Sequence, residues 1–290
     1  MERMERLLIV GPGDVARRAL PGLAARYAVT ALVRGDRAGL GVATIAGDLD
    51  RPGSLAPLAG SADAVLHTAP PADTADRDER THHLIAALSG AAMVPRRVVY
   101  LSTSGVYGDC GGAWVDEARA VAPQSDRARR RVDAERALAD WGRERGVKIT
   151  ILRVPGIYAA DRLPLERLRK GTPVLRAEDD GYTNHVHADD LAAICVRALA
   201  PDAPAGVFNA SDDSELRMGD WFDLVADRHG LPRPPRIARA EAERLLPPAL
   251  LSFLRESRRL VNRRLKDGLG IALRYPTVFD GVPRGTVAAA

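Results

Sequence analysis

The feature that most constrains this chain is a pair of glycines set between an apolar run and a helix-forming stretch. Leu7-Leu8-Ile9-Val10 reads as a buried strand, and Gly11-Pro12-Gly13-Asp14-Val15-Ala16 follows it directly. The pattern is G-x-G-x-x-A, and its strand–turn–helix context gives it meaning. Gly11 permits a tight turn, Gly13 lets backbone approach a pyrophosphate, and Ala16 is small enough for close helix–strand packing. The helix opening at Asp14 and Val15 then offers free N–H groups and a positive dipole end to phosphates. A turn whose glycines serve turn geometry alone is the plainer alternative.

The rest of the chain continues the alternation. Asp14–Tyr27 reads as a helix that Pro21 should kink or break. Ala28–Val33, Ala64–Ala69, Arg97–Ser102 and Val147–Leu152 read as strands. Glu79–Ala92 and Arg127–Arg145 read as helices, the second with Ala134, Leu138 and Trp141 on one stripe. Strands alternating with helices predict an α/β fold, a doubly wound parallel Rossmann sheet with helices on both faces. After Pro155 prolines and glycines become frequent. We therefore expect a Rossmann domain over residues 1–155 and a smaller C-terminal α/β substrate region over 156–290, with 184–200 packing back on the first.

Composition narrows the function classes. The chain has 290 residues, is 46% hydrophobic and carries a formal charge of +4, which fits an ordinary globular protein. No run approaches the roughly 18–20 apolar residues of a membrane-spanning helix. The N-terminus has too few apolar residues for a secretory signal, and two isolated cysteines, Cys110 and Cys195, suit a reducing compartment. A cytoplasmic location is the expectation. Only three of the 42 basic residues are lysines, a skew that reads as genome composition. The excess charge is local: residues 251–290 hold eight basic and three acidic side chains, and the preceding 250 residues are nearly neutral. With aromatic content at 4% and no nucleic-acid motif, neither nucleic acid nor a membrane is an expected partner.

The order of further motifs resembles the extended short-chain dehydrogenase/reductases, the NAD(P)-dependent epimerase/dehydratase group. Gly47-Asp48-Leu49 looks like the family's adenine-contacting segment. Val65-Leu66-His67-Thr68-Ala69, with Pro70 after it, looks like the strand beside the cofactor. Ser102-Thr103-Ser104-Gly105-Val106-Tyr107-Gly108 resembles the strand that supplies the catalytic Ser/Thr, which places Thr103 there. Arg153 to Tyr158, including Pro155, resembles the segment near the nicotinamide, and His185 to Leu191 a further pocket segment. The resemblance implies nucleotide-sugar epimerase, dehydratase or reductase chemistry on a small, anionic substrate. Tyr158, Arg162, His185, Arg258 and Asn262 are the expected substrate contacts.

Two departures matter. The glycine loop is one residue shorter than the family's. The family's Tyr-x-x-x-Lys pair is also missing, and the register from Pro123-Gln124-Ser125 to Ala134-Glu135 puts Arg127 and Arg131 in its place. A tyrosine donates its proton and holds the phenolate while a nearby cation lowers its pKa. Arginine stays protonated, so it is a poor acid and no base. Arg131 can still hydrogen-bond a cofactor ribose. Replacement acids to weigh are Tyr107, His67, the Asp116-Glu117 pair and Cys110, each with a packing or solvated alternative. The rival class is a non-catalytic dinucleotide-binding sensor that acts through a partner.

At the end of the second strand, Arg34 and Arg37 favour the 2′-phosphate of NADP over NAD, with Asp36 as the counter-argument. Leu250–Lys266 reads as an amphipathic helix whose basic face is either solvated or an anion clamp. His185-x-His187-x-Asp189 lacks a third well-spaced ligand, so no metal site is expected. The charge crowding on Arg127–Arg145 predicts a monomer or weak homodimer.

Overall fold

The computed structural model describes residues 4–35, 39–73, 77–247, 250–251 and 254–285. Arg37 and Asp36 lie outside them. Five strands of the N-terminal half are β1 (Arg6–Val10), β2 (Ala28–Val33), β3 (Ala43–Ala46), β4 (Ala64–His67) and β5 (Arg97–Thr103). With Lys148–Val154 and Gly206–Asn209 they form one seven-stranded sheet, in the order 206–209, 148–154, β5, β4, β1, β2, β3. Every pairing in it is parallel. The order reverses direction at β1, and that switch point is where an open α/β sheet binds ligands.

Burial explains why these runs are strands. Both faces of a parallel sheet are covered, so β1 and β4 need apolar residues without alternation. Leu7 and Ile9 face one layer and Leu8 and Val10 the other, all nearly inaccessible. The first layer holds α1 (Asp14–Ala24) and the helix Ala188–Ala198. The second holds α2 (Glu79–Leu88) and α3 (Asp126–Arg145), where Ala134, Leu138 and Trp141 make the expected buried stripe. A separate apolar cluster around Tyr158, Trp221, Phe222 and Val278 lies in the region expected from the sequence to be the substrate side.

Several details differ from the sequence reading. Pro21 sits inside α1 without ending it, and the helix stops three residues later at Ala24. Gly22 lets this turn lie against Val196 of the neighbouring helix, where an added Cβ would stand 3.2 Å from its side chain. The Leu250–Lys266 segment is not one helix. Leu250, Leu251 and Leu254 are helical, Arg259–Leu260 is extended and pairs with Trp114–Val115, and another helix begins at Arg263. Backbone partners outweigh the helical periodicity here: Asn184 receives Leu260 N–H at 2.8 Å and donates to Arg258 carbonyl at 3.0 Å. The region after residue 155 also supplies Gly206–Asn209 to the main sheet. Among the described residues no helix is long and apolar enough to cross a membrane.

Candidate active site

Two cavities flank the carboxyl ends of β1, β4 and β5. The first, about 250 Å³, follows the switch point and is lined by Gly11, Gly13, Arg34, Asp48, Leu49, Thr68, Ala69 and Pro70, all expected from the sequence. Gly11 has φ +85, and a Cβ there would meet Ala69 backbone nitrogen at 2.5 Å, so this turn demands glycine. Gly13 is different: a Cβ would meet only Gly11 oxygen at 3.9 Å, which leaves its outer side open to the cleft. Gly13 is also the N-cap of α1, and no side chain caps that helix. A dinucleotide diphosphate fits this arrangement, since no side chain accepts from the first N–H groups of the helix. Val15 contributes backbone only, because its side chain is buried in the core.

Sequence reasoning missed Arg80 in this cleft. It lies at the start of α2, donates to Pro70 carbonyl at 3.1 Å and clasps both oxygens of Asp50. Its position after the strand–loop of Val65 to Pro71 was the available signal.

The second cavity is larger, about 540 Å³, and lies between the end of β5, the start of α3 and the substrate side. Thr103, Arg127, Arg131, Pro155, Tyr158, Arg162, His185 and Arg258 line it, along with Arg167, Trp221, Phe222 and Glu256, which were not expected. Its lining holds five guanidinium groups against two carboxylates, Asp180 and Glu256. Asp180 accepts N–H groups of Gly181 and Gly219, so it serves the fold. Glu256 accepts from Arg258 at 2.8 Å, and Arg258 is itself fixed to Gly108 carbonyl at 2.7 Å.

The residues at the missing tyrosine and lysine positions behave differently. Arg127 is exposed, yet partial loss of water around its guanidinium lowers its pKa against the pull of Glu256. Arg131 is locked: its Nη1 donates to Tyr100 hydroxyl and Leu101 carbonyl, each at 2.9 Å, and reaches Ala69 carbonyl at 3.5 Å. Ala69 lines the first cleft, so Arg131 spans the wall between the two cavities. Thr103 Oγ1 accepts Gly105 N–H at 3.2 Å, which keeps the hydroxyl proton available to another acceptor.

Other expectations fall elsewhere. Tyr107 does not face the cavity: it is 1% exposed, and its hydroxyl donates to Asn209 at 2.8 Å. Burial raises its pKa, against the nearby Arg153 guanidinium. Asn262 is used by the fold, donating to Ser211 carbonyl and Asp213, and lines a separate small cleft. His67 is buried against Thr81 and its pKa is driven down to about 3 by burial. Glu117 accepts Asn209 N–H, and Asp116 closes its own turn on Ala118. His187 caps the helix 188–198 and His185 stacks on Trp221 at 4.4 Å, so their alternate spacing serves packing. Burial brings His185 to about 3, which keeps it neutral. Of the basic side chains in the C-terminal segment, Arg258 alone lines the large cavity; Arg259 stacks between Trp114 and Tyr182, and Lys266 pairs with Asp213.

Known proteins share this architecture. The family model described as NAD(P)H-binding matches residues 11–202. The chain belongs to the NAD(P)H-binding family. A conserved protein of unknown function from Silicibacter pomeroyi is 27% identical to this NAD(P)H-binding chain, with 96% of each chain covered and a TM-score of 0.76. A candidate NAD-dependent epimerase/dehydratase from Methylobacillus flagellatus is 26% identical, again with 96% of each covered and a TM-score of 0.74. These likenesses agree with the extended short-chain dehydrogenase/reductase resemblance read from the motifs. Among curated relatives, the 3-diazoavenalumate denitrifying reductase of a Streptomyces species is 30% identical over 127 residues. That match spans 44% of this NAD(P)H-binding chain and 41% of the relative.

Proposed function

We propose that this chain is an NADP(H)-dependent reductase of a small anionic molecule, in which no tyrosine supplies the proton. The observation that carries this reading is Arg131, which lines the arginine-rich cavity and touches Ala69 of the cofactor cleft. A nicotinamide cofactor, when bound, supplies the hydride. Everything else falls to the chain. Gly11, Gly13 and the open start of α1 hold the diphosphate, and Asp48 and Leu49 flank the adenine. Arg34, exposed at the end of β2, pairs with a 2′-phosphate and cannot accept from a ribose hydroxyl. Thr103 donates to the reacting atom of the substrate. Arg127 and Arg258 hold its anionic group, while Tyr158, Trp221 and His185 wall its apolar part.

Arginine at 127 suits chemistry whose hydride adduct needs no proton from a tyrosine. The Streptomyces relative, by its name a reductase of a diazo compound, supports reduction over epimerisation. The anchored Arg131 favours the second reading, a dinucleotide-binding sensor, because three contacts from its Nη1 hold it within its own fold.

Fluorescence titration with NADPH and NADH tests the cofactor. Tighter NADPH binding is expected, and Arg34→Ser should erase the preference by about tenfold. NADPH oxidation is then followed with anionic carbonyl and diazo compounds and nucleotide-sugars, beside Arg127→Tyr. Turnover by the wild-type chain supports the reductase. Tight NADPH binding without turnover by either protein turns the reading to the sensor.

A further inference from the structure

Asp14 creates a problem that Arg162 answers. It is the first residue of α1, directly after Gly13, so its carboxylate stands beside the N–H groups that a phosphate would use. Two like charges at one helix end oppose each other. Arg18, one turn on, donates to Asp14 at 3.0 Å, but its other nitrogens are committed to Asp189 at 2.8 Å and Asp161 at 2.7 Å. Arg162 donates to the second oxygen of Asp14 at 2.8 Å. It comes from the short turn Ala160–Arg162, across the cleft on the substrate side, and it lines the large cavity. The cluster therefore sets three carboxylates against two guanidinium groups. Without Arg162 it would set three against one. Burial pushes the Asp14 carboxyl up, yet the bonds from Arg162 and Arg18 outweigh it and hold it below its usual range.

We propose that Arg162 is a cofactor-site residue contributed from the substrate side: by holding the Asp14 carboxylate, it frees the α1 N-terminus for the diphosphate of a dinucleotide. This rests on the cofactor lying along the glycine loop, and it moves Arg162 from the substrate contacts expected from sequence to the cofactor contacts. Asp14 then acts as a docking point that draws the substrate-side turn onto the cofactor loop.

The test is NADPH binding to the full chain, read by fluorescence, for wild type, Arg162→Gln, Asp14→Asn and the double variant. Thermal unfolding without ligand reports the fold of each. Arg162→Gln should weaken NADPH about tenfold or more. Asp14→Asn should bind at least as tightly as wild type. The double variant should return to within about threefold of Asp14→Asn, because neutralising Asp14 removes what Arg162 screens. Unchanged binding by Arg162→Gln, or a double variant as weak as Arg162→Gln alone, overturns the proposal. If Arg162→Gln unfolds, Arg162→Lys and Asp14→Asn decide: the first should bind near wild type and the second no weaker, and weaker binding by either overturns it. A wild-type chain that binds neither NADPH nor NADH refutes the cofactor reading instead, a separate failure.

Discussion

The glycine-loop cleft and the arginine-rich cavity lie side by side and are built by opposite means. The cleft is made of backbone and small residues: Gly11, Gly13, Ala69, Pro70 and the uncapped start of α1. The cavity is made of long side chains that fix one another, with Arg131 on Tyr100, Arg258 on Gly108 and Glu256, and Arg167 over Phe222 at 4.2 Å. The glycine loop of the first is set largely by local geometry. The second depends on segments far apart in the chain and fails when any one of them moves.

The largest expected effect bears on that dependence. Glu135 and Arg153 form a buried ion pair beneath the cavity at 2.7 Å, their side chains 8% and 7% exposed, and Ser102 donates to the same carboxylate at 2.5 Å. Glu135→Ala leaves a buried guanidinium unpaired and should cost about 3–5 kcal/mol in denaturant unfolding. Folded Glu135→Ala protein should still bind NADPH within about threefold of wild type. A loss beyond that would break the contrast, since the cleft would then share the cavity's network.

A somewhat smaller effect sharpens the other side. Gly13→Val meets open space, and its backbone, at φ −82, accepts a side chain. The variant should unfold within a few degrees of wild type, because losing a glycine N-cap costs at most about 1 kcal/mol. NADPH binding should fall at least about a hundredfold, because the side chain fills the approach to α1. A stable variant that binds normally would mean that the cleft does not take the diphosphate there.

The smallest effect concerns Asp212, buried behind the substrate side with one carboxylate oxygen unpartnered. Burial raises its pKa to about 7, against the hydrogen bonds from Ser214. In the unfolded chain the group titrates near 4. Its folded form therefore holds the proton more tightly, and stability falls as pH rises from about 4 to 7, then stays reduced. Asp212→Asn should raise the melting temperature by about 3–6 °C at pH 8 and by much less at pH 4, measured as the difference from wild type at each pH.

The same contrast explains what the sequence made readable. The strand, glycine loop and helix of residues 7–24 carry a local pattern, and the separate motifs at 47–49 and 65–70 supplied the rest, so the lining of the cleft was legible, Arg80 excepted. The cavity was legible only where a motif happened to point inward, as at Thr103, Pro155, Tyr158 and His185. Tyr107 and Asn262 sit in plausible motif positions, yet tertiary partners, Asn209 for one and Ser211 and Asp213 for the other, draw them away. Trp221, Phe222 and Glu256 carried no local signal, because only the folding of distant segments brings them to the end of β5. The stretch 250–266 misled for the same reason: its periodicity is helical, but its backbone finds Trp114–Val115.

The strand Gly206–Asn209 has a consequence for how this chain can be divided. It closes the sheet against Lys148–Val154 although it belongs to the later half of the sequence. A fragment ending near residue 155 would expose that buried, apolar strand as an open edge, ready to pair with another molecule. The two halves thus share one sheet, and an isolated N-terminal fragment should aggregate on expression where the intact chain does not.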